Sequence, residues 1–331
     1  MKAEYQVDIL TGFRPTANLH IGNYVGAIKP FMELQKTGQK SYLFIADLHA
    51  LTDNEPEVIK KFIREIVGDY LALGLDPEKT TIYRQSAIGY ETAFLMELLT
   101  RETMVAELLR VPTIKEKLKG NMKAENANAL LLMYPVMMAA DILLHRPRMV
   151  PVGDDQVAHL EVMREFARSF NKKYGDVFPM PEVKKIRSLR ILALKGEGKM
   201  SKSSPAGAIF LTDDPKVAVK KIKSAETATE GEMTPSLESH ITLAKELTND
   251  VKIHLEIDRI IKDHRAGKQV MGEFKQLLAD LVSNFFVRFQ EKREGIMRQP
   301  GYIEDILREG KKRARESAEE TLTLVREAMG L

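Results

Sequence analysis

Residues 11–26 read TGFRPTANLHIGNYVG, and this stretch decides the fold. It follows a strand-like run at 6–10 and leads, after Gly22, into an apolar-periodic segment at 24–34 that predicts a helix. A strand, a glycine-containing turn and a helix start present backbone N–H groups and the positive end of a helix to a phosphate. His20 and Asn23 flank Gly22, so both side chains can point into one pocket. The spacing suits a nucleotide, although a single H-x-G-N pattern is weak evidence by itself.

A second motif lies far downstream, at Lys199-Met200-Ser201-Lys202-Ser203, in a glycine-containing context. Two lysines and two serines within five residues supply two positive charges and several hydroxyl donors. Such donors suit the transition state in which a pyrophosphate leaves. A solvated surface loop is the plain alternative for a lysine–serine run. The two motifs in this order favour the phosphate site.

Strands alternate with helices through the first part of the chain. The strand-like runs lie at 41–47, 80–85, 148–152 and 189–194. The alternation predicts a parallel α/β sheet. Ligands bind beyond the carboxyl ends of such strands, where His20, His49 and Gly153 all fall.

Helical patterns fill most of the remaining chain. Residues 90–145 are predicted to be helical apart from a polar linker at 117–128, and would form an insertion between the two halves of the nucleotide fold. Asp214 and Pro215 mark the start of another helix. Apolar residues at helical spacing then predict core rather than a ligand site at Phe274, Leu277, Leu278, Leu281, Val282, Phe285, Phe286 and Phe289.

Composition sets limits on the class of protein. A chain of 331 residues with 44% hydrophobic and 29% charged residues is typical of a soluble globular protein, divided here into two domains. A net charge of +3 is too small to attract nucleic acid everywhere, so RNA would have to contact local patches. The absence of cysteine excludes disulfides, a thiolate nucleophile and cysteine-bound zinc. No signal peptide or membrane span is evident, and we expect a cytoplasmic protein.

HIGN together with KMSKS resembles the class I aminoacyl-tRNA synthetases. Two further blocks, YPVMMAAD at 134–141 and VPVGDDQ at 150–156, resemble the tryptophanyl branch of that family. The resemblance implies a Rossmann-type doubly wound parallel sheet with a helical insertion at about 88–145, followed by an all-helical C-terminal domain. Residues 1–205 would be the catalytic domain and residues 206–331 the tRNA anticodon-binding domain.

The resemblance also implies a reaction and partners. L-tryptophan and ATP would form tryptophanyl-adenylate and pyrophosphate, and the tryptophanyl group would pass to the 3′ end of tRNA(Trp). ATP would carry Mg²⁺, without a metal site or tightly bound cofactor in the protein. The family is homodimeric, so a homodimer is expected, with no membrane partner.

The roles of individual residues follow from the same resemblance. The catalytic groups would be His20, Asn23, Lys115, Lys199 and Lys202. ATP would contact Arg14, Pro15, Thr16, Gly22, Asn23, Gly153, Asp154, Asp155, Ile191, Lys199, Met200, Ser201, Lys202 and Ser203. Tryptophan would contact Leu10, His49, Tyr134, Met138, Asp141, Val150, Val152 and Gln156.

Asp141 allows two interpretations. Tyr134, Met138 and Asp141 fall at i, i+4 and i+7 and share one helix face, where an acid is costly unless a donor reaches it. Asp141 could cap a helix or pair with Arg146 or Arg148. Alternatively it accepts the indole N–H of tryptophan, which the resemblance favours.

Rival functions differ at identifiable residues. The tyrosyl branch usually has glutamine at the position of Met138, and an unbranched apolar methionine suits an indole better. A synthetase-like binding protein would not need both phosphate lysines. A small nucleotidyltransferase would not need the long helical C-terminal half.

Some positions depart from the family pattern or allow two interpretations. Arg14 replaces a common glutamine, so its contact with ATP would be ionic, and Pro30 would kink or split the first helix. The basic cluster near the C-terminus is equally well explained as a solvated helix face or as a tRNA contact; it comprises Lys311, Lys312, Arg313 and Arg315.

Overall fold

The computed structural model contains a five-stranded parallel sheet. It describes residues 4–15, 18–119, 128–153, 156–185, 189, 191–195, 198–201, 204–226, 228–229 and 231–331. The strand order is β3-β2-β1-β4-β5 and every pairing is parallel. The strands are β1 (Val7–Phe13), β2 (Ser41–Ile45), β3 (Thr80–Arg84), β4 (Pro147–Val152) and β5 (Glu182–Lys185).

Helices connect the strands and form the C-terminal part. The helices of the first part are α1 (Ile21–Asn23), α2 (Lys29–Gln35), α3 (Asp47–Ala50), α4 (Pro56–Leu73), α5 (Gly89–Arg101), α6 (Val105–Leu108), α7 (Pro112–Lys119), α8 (Ala129–Leu143) and α9 (Val157–Tyr174). The later helices are α10 (Pro215–Lys223), α11 (Pro235–Glu246), α12 (Val251–Arg265), α13 (Met271–Met297) and α14 (Tyr302–Met329). Short 3₁₀ turns lie at Gln85–Ile88 and Pro205–Gly207.

Each face of the sheet buries its own apolar cluster. Successive side chains of a strand point to opposite faces, and Ile9 and Leu10, both fully buried, enter different clusters. The cluster around Ile9 includes residues of α4, α10, α11, α12 and α13. The cluster around Leu10 includes residues of α5, α8, α9 and α14. The predicted doubly wound sheet is therefore confirmed.

The predicted aromatic and aliphatic stripe on α13 is core. Phe274, Leu278, Val282, Phe286 and Phe289 are at most 2% exposed. The cap at the start of α10 is also confirmed, because the Asp214 side chain accepts the backbone N–H of Lys216 and Pro215 is the first helical residue.

The last helix packs on the parallel sheet as well as on neighbouring helices. α14 lies against β3, and the Ser317 hydroxyl is 3.0 Å from His145 Nδ1. The guanidinium of Arg146 contacts Thr321 and Glu320 of the same helix. A division of the chain at residue 205 stays a prediction, and the packing of α14 crosses it.

One predicted strand is wrong. The described residues of this segment, 189 and 191–194, do not pair with the sheet; Leu192 instead forms an isolated bridge with Lys199 and donates its N–H to Ser239 Oγ at 2.8 Å. The fifth strand is Glu182–Lys185, whose sequence EVKK lacks the apolar run of a central strand. An edge strand pairs on one side only, so it needs less apolar surface.

The helical segment after the first motif is split, as Pro30 predicts. A π-helical turn, Tyr24–Ile28, separates α1 from α2, and Pro30 is the second residue of α2. The wider turn falls where the proline ring would clash with the carbonyl four residues earlier in a regular α-helix.

Among the described residues, no helix is long and apolar enough to cross a membrane.

The approach of α14 to β3 gives a stability prediction. A Cβ added at Gly310 would lie 1.8 Å from the Ile82 carbonyl oxygen. We expect Gly310→Ala to lower the free energy of unfolding by about 1–3 kcal/mol, because the helix must move away from the strand. Gly295→Ala on α13 is the matched control, since nothing lies within 4 Å of its added Cβ. Helix propensity predicts a gain of up to about 1 kcal/mol there. Equal effects of the two substitutions in urea unfolding would contradict this packing.

His145 gives a prediction about pH. It is fully buried between the Tyr83 hydroxyl, 2.8 Å from Nε2, and Ser317, and burial lowers its pKa from 6.5 to about 3. Below pH 6.5 the His145 side chain binds a proton in the unfolded chain but stays neutral in the folded protein. The free energy of unfolding therefore falls as the pH drops from 6.5 towards 3. We expect this residue to account for a loss of about 2 kcal/mol between neutrality and pH of about 5. Urea unfolding of His145→Gln should show a correspondingly shallower acid dependence; an unchanged dependence would rule out this assignment.

Candidate active site

Polar side chains collect where the parallel strands end. β1 is followed by Arg14, β2 by α3 with His49, β3 by Gln85 and β4 by Gly153. All strands run in the same direction, so these residues meet at one edge of the sheet.

His20 and Asn23 form a reciprocal capping box at the start of the first helical segment. The backbone N–H of Asn23 donates to His20 Nδ1 at 3.2 Å, and the backbone N–H of His20 donates to Asn23 Oδ1 at 3.1 Å. A neutral imidazole that accepts at Nδ1 carries its proton on Nε2. Likewise, an amide that accepts at Oδ1 directs its NH₂ group elsewhere. The two bonds therefore set which atoms of this pair can donate to a ligand.

Gly22 permits this arrangement. A Cβ added there would lie 3.0 Å from His20 Nδ1, 3.2 Å from its Cε1 and 3.5 Å from the Ile191 Cβ. A side chain at this position would push against the imidazole. The glycine also brings the first motif close to the segment that precedes the second motif.

Residues around the second motif hold the two motifs together. The N–H of Met200 donates to the Ile191 carbonyl at 3.0 Å, and the Met200 side chain is buried. Further along, Phe210 forms an antiparallel bridge with His20. The predicted contact of the Ile191 backbone with adenine remains a prediction, and its carbonyl already accepts from Met200.

The predicted phosphate groups differ in exposure. Lys199 and Lys115 are exposed, the latter on α7, and Ser201 is half-buried. Arg14 pairs with Asp53 at 2.8 Å, with both side chains about two-fifths exposed, while Pro15 is buried. Five predicted contacts lie outside the described residues: Thr16, Asp154, Asp155, Lys202 and Ser203.

Asp141 is the centre of a buried hydrogen-bond network. Asp141 is 2% exposed. Its Oδ2 accepts hydrogen bonds from His49 Nε2 at 3.0 Å and from Gln85 Nε2 at 2.7 Å. Its Oδ1 accepts only a longer bond, from Thr92 Oγ1 at 3.3 Å, among the described residues. The network supplies the donors that a buried carboxylate requires.

Burial raises the pKa of the Asp141 carboxyl above its usual range, and the bonds from His49, Gln85 and Thr92 act in the opposite direction. The alternative pairing of Asp141 with Arg146 or Arg148 is wrong. Arg146 binds Glu320 and Thr321 instead, and Arg148 lies 3.6 Å from Asp8. Asp141 therefore contacts His49 and Gln85 at the carboxyl edge of the sheet instead of either arginine.

Tyr134 is the predicted tryptophan contact that packs beside this network. The Tyr134 hydroxyl lies 3.0 Å from His159 Nε2, and the Tyr134 ring packs edge-on to His49 with centroids 6.5 Å apart. Met138 is half-buried, as is Gln156, which directly precedes α9. Polar groups and the aromatic ring of Tyr134 therefore lie side by side next to His49.

Three strand residues form the apolar floor beneath α8. Leu10 and Val150 are buried in the same cluster as Val136 and Ala140 of that helix, and Val152 packs against the cluster. The structure therefore brings together His49, Tyr134 and Asp141, and places Leu10, Val150 and Val152 at the apolar cluster of α8. Separately, it joins the HIGN motif to Ile191 and Met200.

Sequence reasoning missed Gln85, Thr92 and His159. A signal existed for Gln85, because it ends a predicted strand at the same sheet edge as His49. Thr92 and His159 lie within helices and carry no such signal. Their contacts depend on how α5 and α9 pack.

A cavity lies apart from this edge, at the opposite ends of the strands. This open cavity of about 1550 Å³ is lined by residues at the amino ends of β2 and β3, including Lys40, Ser41 and Lys79, and touches none of the predicted site residues. Among the described residues, no group of three or more His, Cys, Asp or Glu side chains could hold a metal ion.

Comparison with known proteins gives consistent relatives. The tRNA synthetases class I (W and Y) family matches residues 2–287. A tryptophan–tRNA ligase of Porphyromonas gingivalis is 39% identical over 333 residues, covering 97% of this chain and 98% of that protein.

Solved structures agree in fold over the same length. Tryptophanyl-tRNA synthetase from Mycoplasma pneumoniae superimposes with a TM-score of 0.84 at 31% identity, covering 98% of both chains. The enzyme from Campylobacter jejuni, complexed with ADP and tryptophan, has a TM-score of 0.82 at 32% identity, covering 98% of this chain and 100% of that one. This chain belongs to the class I tRNA synthetases of the W and Y type.

Proposed function

We propose that this protein activates L-tryptophan with ATP, forming tryptophanyl-adenylate and pyrophosphate, and then transfers the tryptophanyl group to the 3′ end of tRNA(Trp). The family match and the tryptophan–tRNA ligase relatives support this function. A structural relative at 32% identity was solved with ADP and tryptophan.

The buried carboxylate of Asp141 determines the specificity for the amino acid. An indole N–H can donate but cannot accept, and the carboxylate offers only acceptors when ionised. Oδ2 already receives His49 and Gln85, so Oδ1, with its single long bond, is the oxygen that can accept from the indole. Met138 offers no polar group to a phenol, which favours tryptophan over tyrosine.

The first step needs no activated nucleophile from the protein. The tryptophan carboxylate attacks the α-phosphate of ATP; a P–O bond forms to it and the bond to the leaving pyrophosphate breaks. Catalysis then consists of positioning and charge stabilisation. His20 Nε2 and the Asn23 amide would donate to phosphate oxygens, while Lys199, Lys202 and Lys115 would stabilise the charge on the pyrophosphate.

The remaining predicted contacts would hold the nucleotide and the amino acid. Asp154 and Asp155 would accept from the ribose hydroxyls, and Gln156 would orient the amino acid. Exposed Arg14 can exchange Asp53 for a phosphate at small cost, because exposed ion pairs contribute little stability. Mg²⁺ would enter bound to the ATP phosphates, which is its usual mode in nucleotide sites. It would add positive charge to the leaving pyrophosphate.

The second step requires tRNA. The surface that would bind the tRNA is proposed only from where the C-terminal helices lie in the chain. The helices of residues 206–331 would bind the anticodon stem. The protein would be a homodimer and would act in the cytoplasm. In the basic cluster, Arg315 pairs with Glu91 and Arg313 with Glu309, whereas Lys311 and Lys312 are exposed. The two lysines are therefore the better candidates for RNA contact.

Amino-acid-dependent ATP–pyrophosphate exchange tests the function and the role of Asp141 together. We expect exchange with tryptophan and none with tyrosine or phenylalanine. Asp141→Ala should lower kcat/KM for tryptophan by roughly two orders of magnitude or more, because the indole N–H loses its acceptor. Exchange with tyrosine would contradict the assignments of Asp141 and Met138. No exchange by folded protein would indicate a binding paralogue.

Lys199 gives a second prediction. Removing one preorganised charge donor typically costs about 2–4 kcal/mol of transition-state stabilisation. Single-turnover adenylate formation by Lys199→Ala should be slower by the corresponding factor, with tryptophan affinity unchanged. Lys195→Ala is the matched control, because Lys195 is an exposed lysine of the same segment that is not assigned to the site. Equal rates for both variants would argue against a role for Lys199 in the transition state.

A further inference from the structure

Gln85 joins three elements at the edge of the sheet. It is the first residue after β3 and is 1% exposed. Its Oε1 accepts the backbone N–H groups of Leu48 and His49, each at 3.2 Å, and its Nε2 donates to Asp141 Oδ2 at 2.7 Å. One side chain thus connects the end of β3, the first turn of α3 and the buried acid on α8.

These bonds set the orientation of the amide. Backbone N–H groups can only donate, so the oxygen of Gln85 must face α3. Its NH₂ group then faces Asp141. A flipped amide would place Nε2 against two donors and Oε1 against a carboxylate oxygen, which would be repulsive on both sides.

The orientation of Gln85 determines that of Asp141. The terminal torsion of an aspartate is soft, so the side chain alone does not select which oxygen faces a ligand. Gln85 and His49 both donate to Oδ2, which leaves Oδ1 at the other side of the carboxylate. Hydrogen bonds from Gln85 and His49 to the ionised carboxylate also lower the pKa of Asp141, whereas burial raises it.

We propose that Gln85 is a positioning residue for tryptophan recognition, which acts through Asp141 by directing Oδ1 towards the indole N–H. This inference rests on the proposed function. Gln85 itself makes no contact with the substrate.

Gln85→Glu tests this positioning role. A glutamate can still accept from the N–H groups of α3, but when ionised it places a second carboxylate against Asp141. Two adjacent carboxylates retain one proton between them until higher pH. While this proton is present, residue 85 can donate to Asp141; once it is lost, the two acids repel each other.

Tryptophan binding can be measured directly, because the chain contains no tryptophan. Fluorescence of the ligand, excited beyond the tyrosine band, reports binding without a background from the protein. We expect the dissociation constant of Gln85→Glu for tryptophan to rise at least about tenfold between mildly acidic and alkaline pH. The wild-type value should change much less over that range, and KM for ATP should stay unchanged.

Other titratable groups around position 85 are common to both proteins. Asp47 accepts from Ser86, Glu91 pairs with Arg315, and His49 bonds Asp141. A pH dependence found only in the variant therefore reports the introduced acid and its pairing with Asp141.

Gln35→Glu is the matched control. Gln35 is 4% exposed, its Nε2 donates to the Asp76 carbonyl and Thr80 Oγ1, and its Oε1 accepts the N–H of Asp76. Like Gln85, it accepts from a backbone N–H and donates to oxygen atoms, but those oxygens belong to a carbonyl and a hydroxyl instead of a carboxylate. This control should lower stability and leave the tryptophan dissociation constant unchanged.

The outcomes separate the inference from the function on which it rests. Gln85→Met, neutral and similar in size, should bind tryptophan weakly at every pH, which provides a test should the glutamate variant fail to fold. Wild-type affinity in the folded Gln85 variants, or an equal shift in Gln35→Glu, would overturn the positioning role alone. Wild-type protein that neither binds nor activates tryptophan would overturn the proposed function and this inference with it.

Discussion

Both faces of the parallel sheet are covered by helices, and this constraint determines where polar groups can lie. β1 is central, and its Ile9 and Leu10 enter different apolar clusters. A strand paired on both sides and buried on both faces has little place for polar side chains except at its ends. His49, Gln85 and the turn at Gly153 therefore lie together at the carboxyl edge, where the site is proposed.

The two parts of the proposed site differ in burial, as their proposed ligands would require. An apolar ring with one N–H is distinguished by a desolvated acceptor, and Asp141 is correspondingly buried and held by several donors. A departing pyrophosphate carries several charges and moves, so exposed lysines such as Lys199 suit it. Between them, the capping box of His20 and Asn23 fixes two side chains without relying on burial alone.

The C-terminal helix is part of the framework that supports the sheet. α14 reaches β3 closely at Gly310, and Ser317 contacts His145 just before β4. Arg315 of the same helix pairs with Glu91 at the start of α5. The residues that come last in the chain thus pack against elements formed by the first half, and folding of the sheet involves contacts across nearly the whole sequence.

The predictions from sequence succeeded where local patterns have a single physical meaning. The alternation of strands and helices implied the parallel sheet, and helical spacing identified the α13 core. Predictions failed where an apolar pattern does not name its partner: Ile191, Leu192 and Ala193 resemble a strand but bond residues in and just before the second motif, while the polar edge strand Glu182–Lys185 carries no apolar signal. The placement of α14 on the sheet also could not be read from its helical pattern.

The sequence by itself determined the class of fold, the two phosphate motifs and the acid at position 141, because these depend on residue type and spacing within short segments. Only the tertiary structure decided what that acid is bound to. His49, Gln85 and Thr92 come from α3, the end of β3 and α5, and nothing in their sequence separations fixes the distances to Asp141. Those distances follow from packing of helices on the two faces of the sheet, which no local pattern encodes.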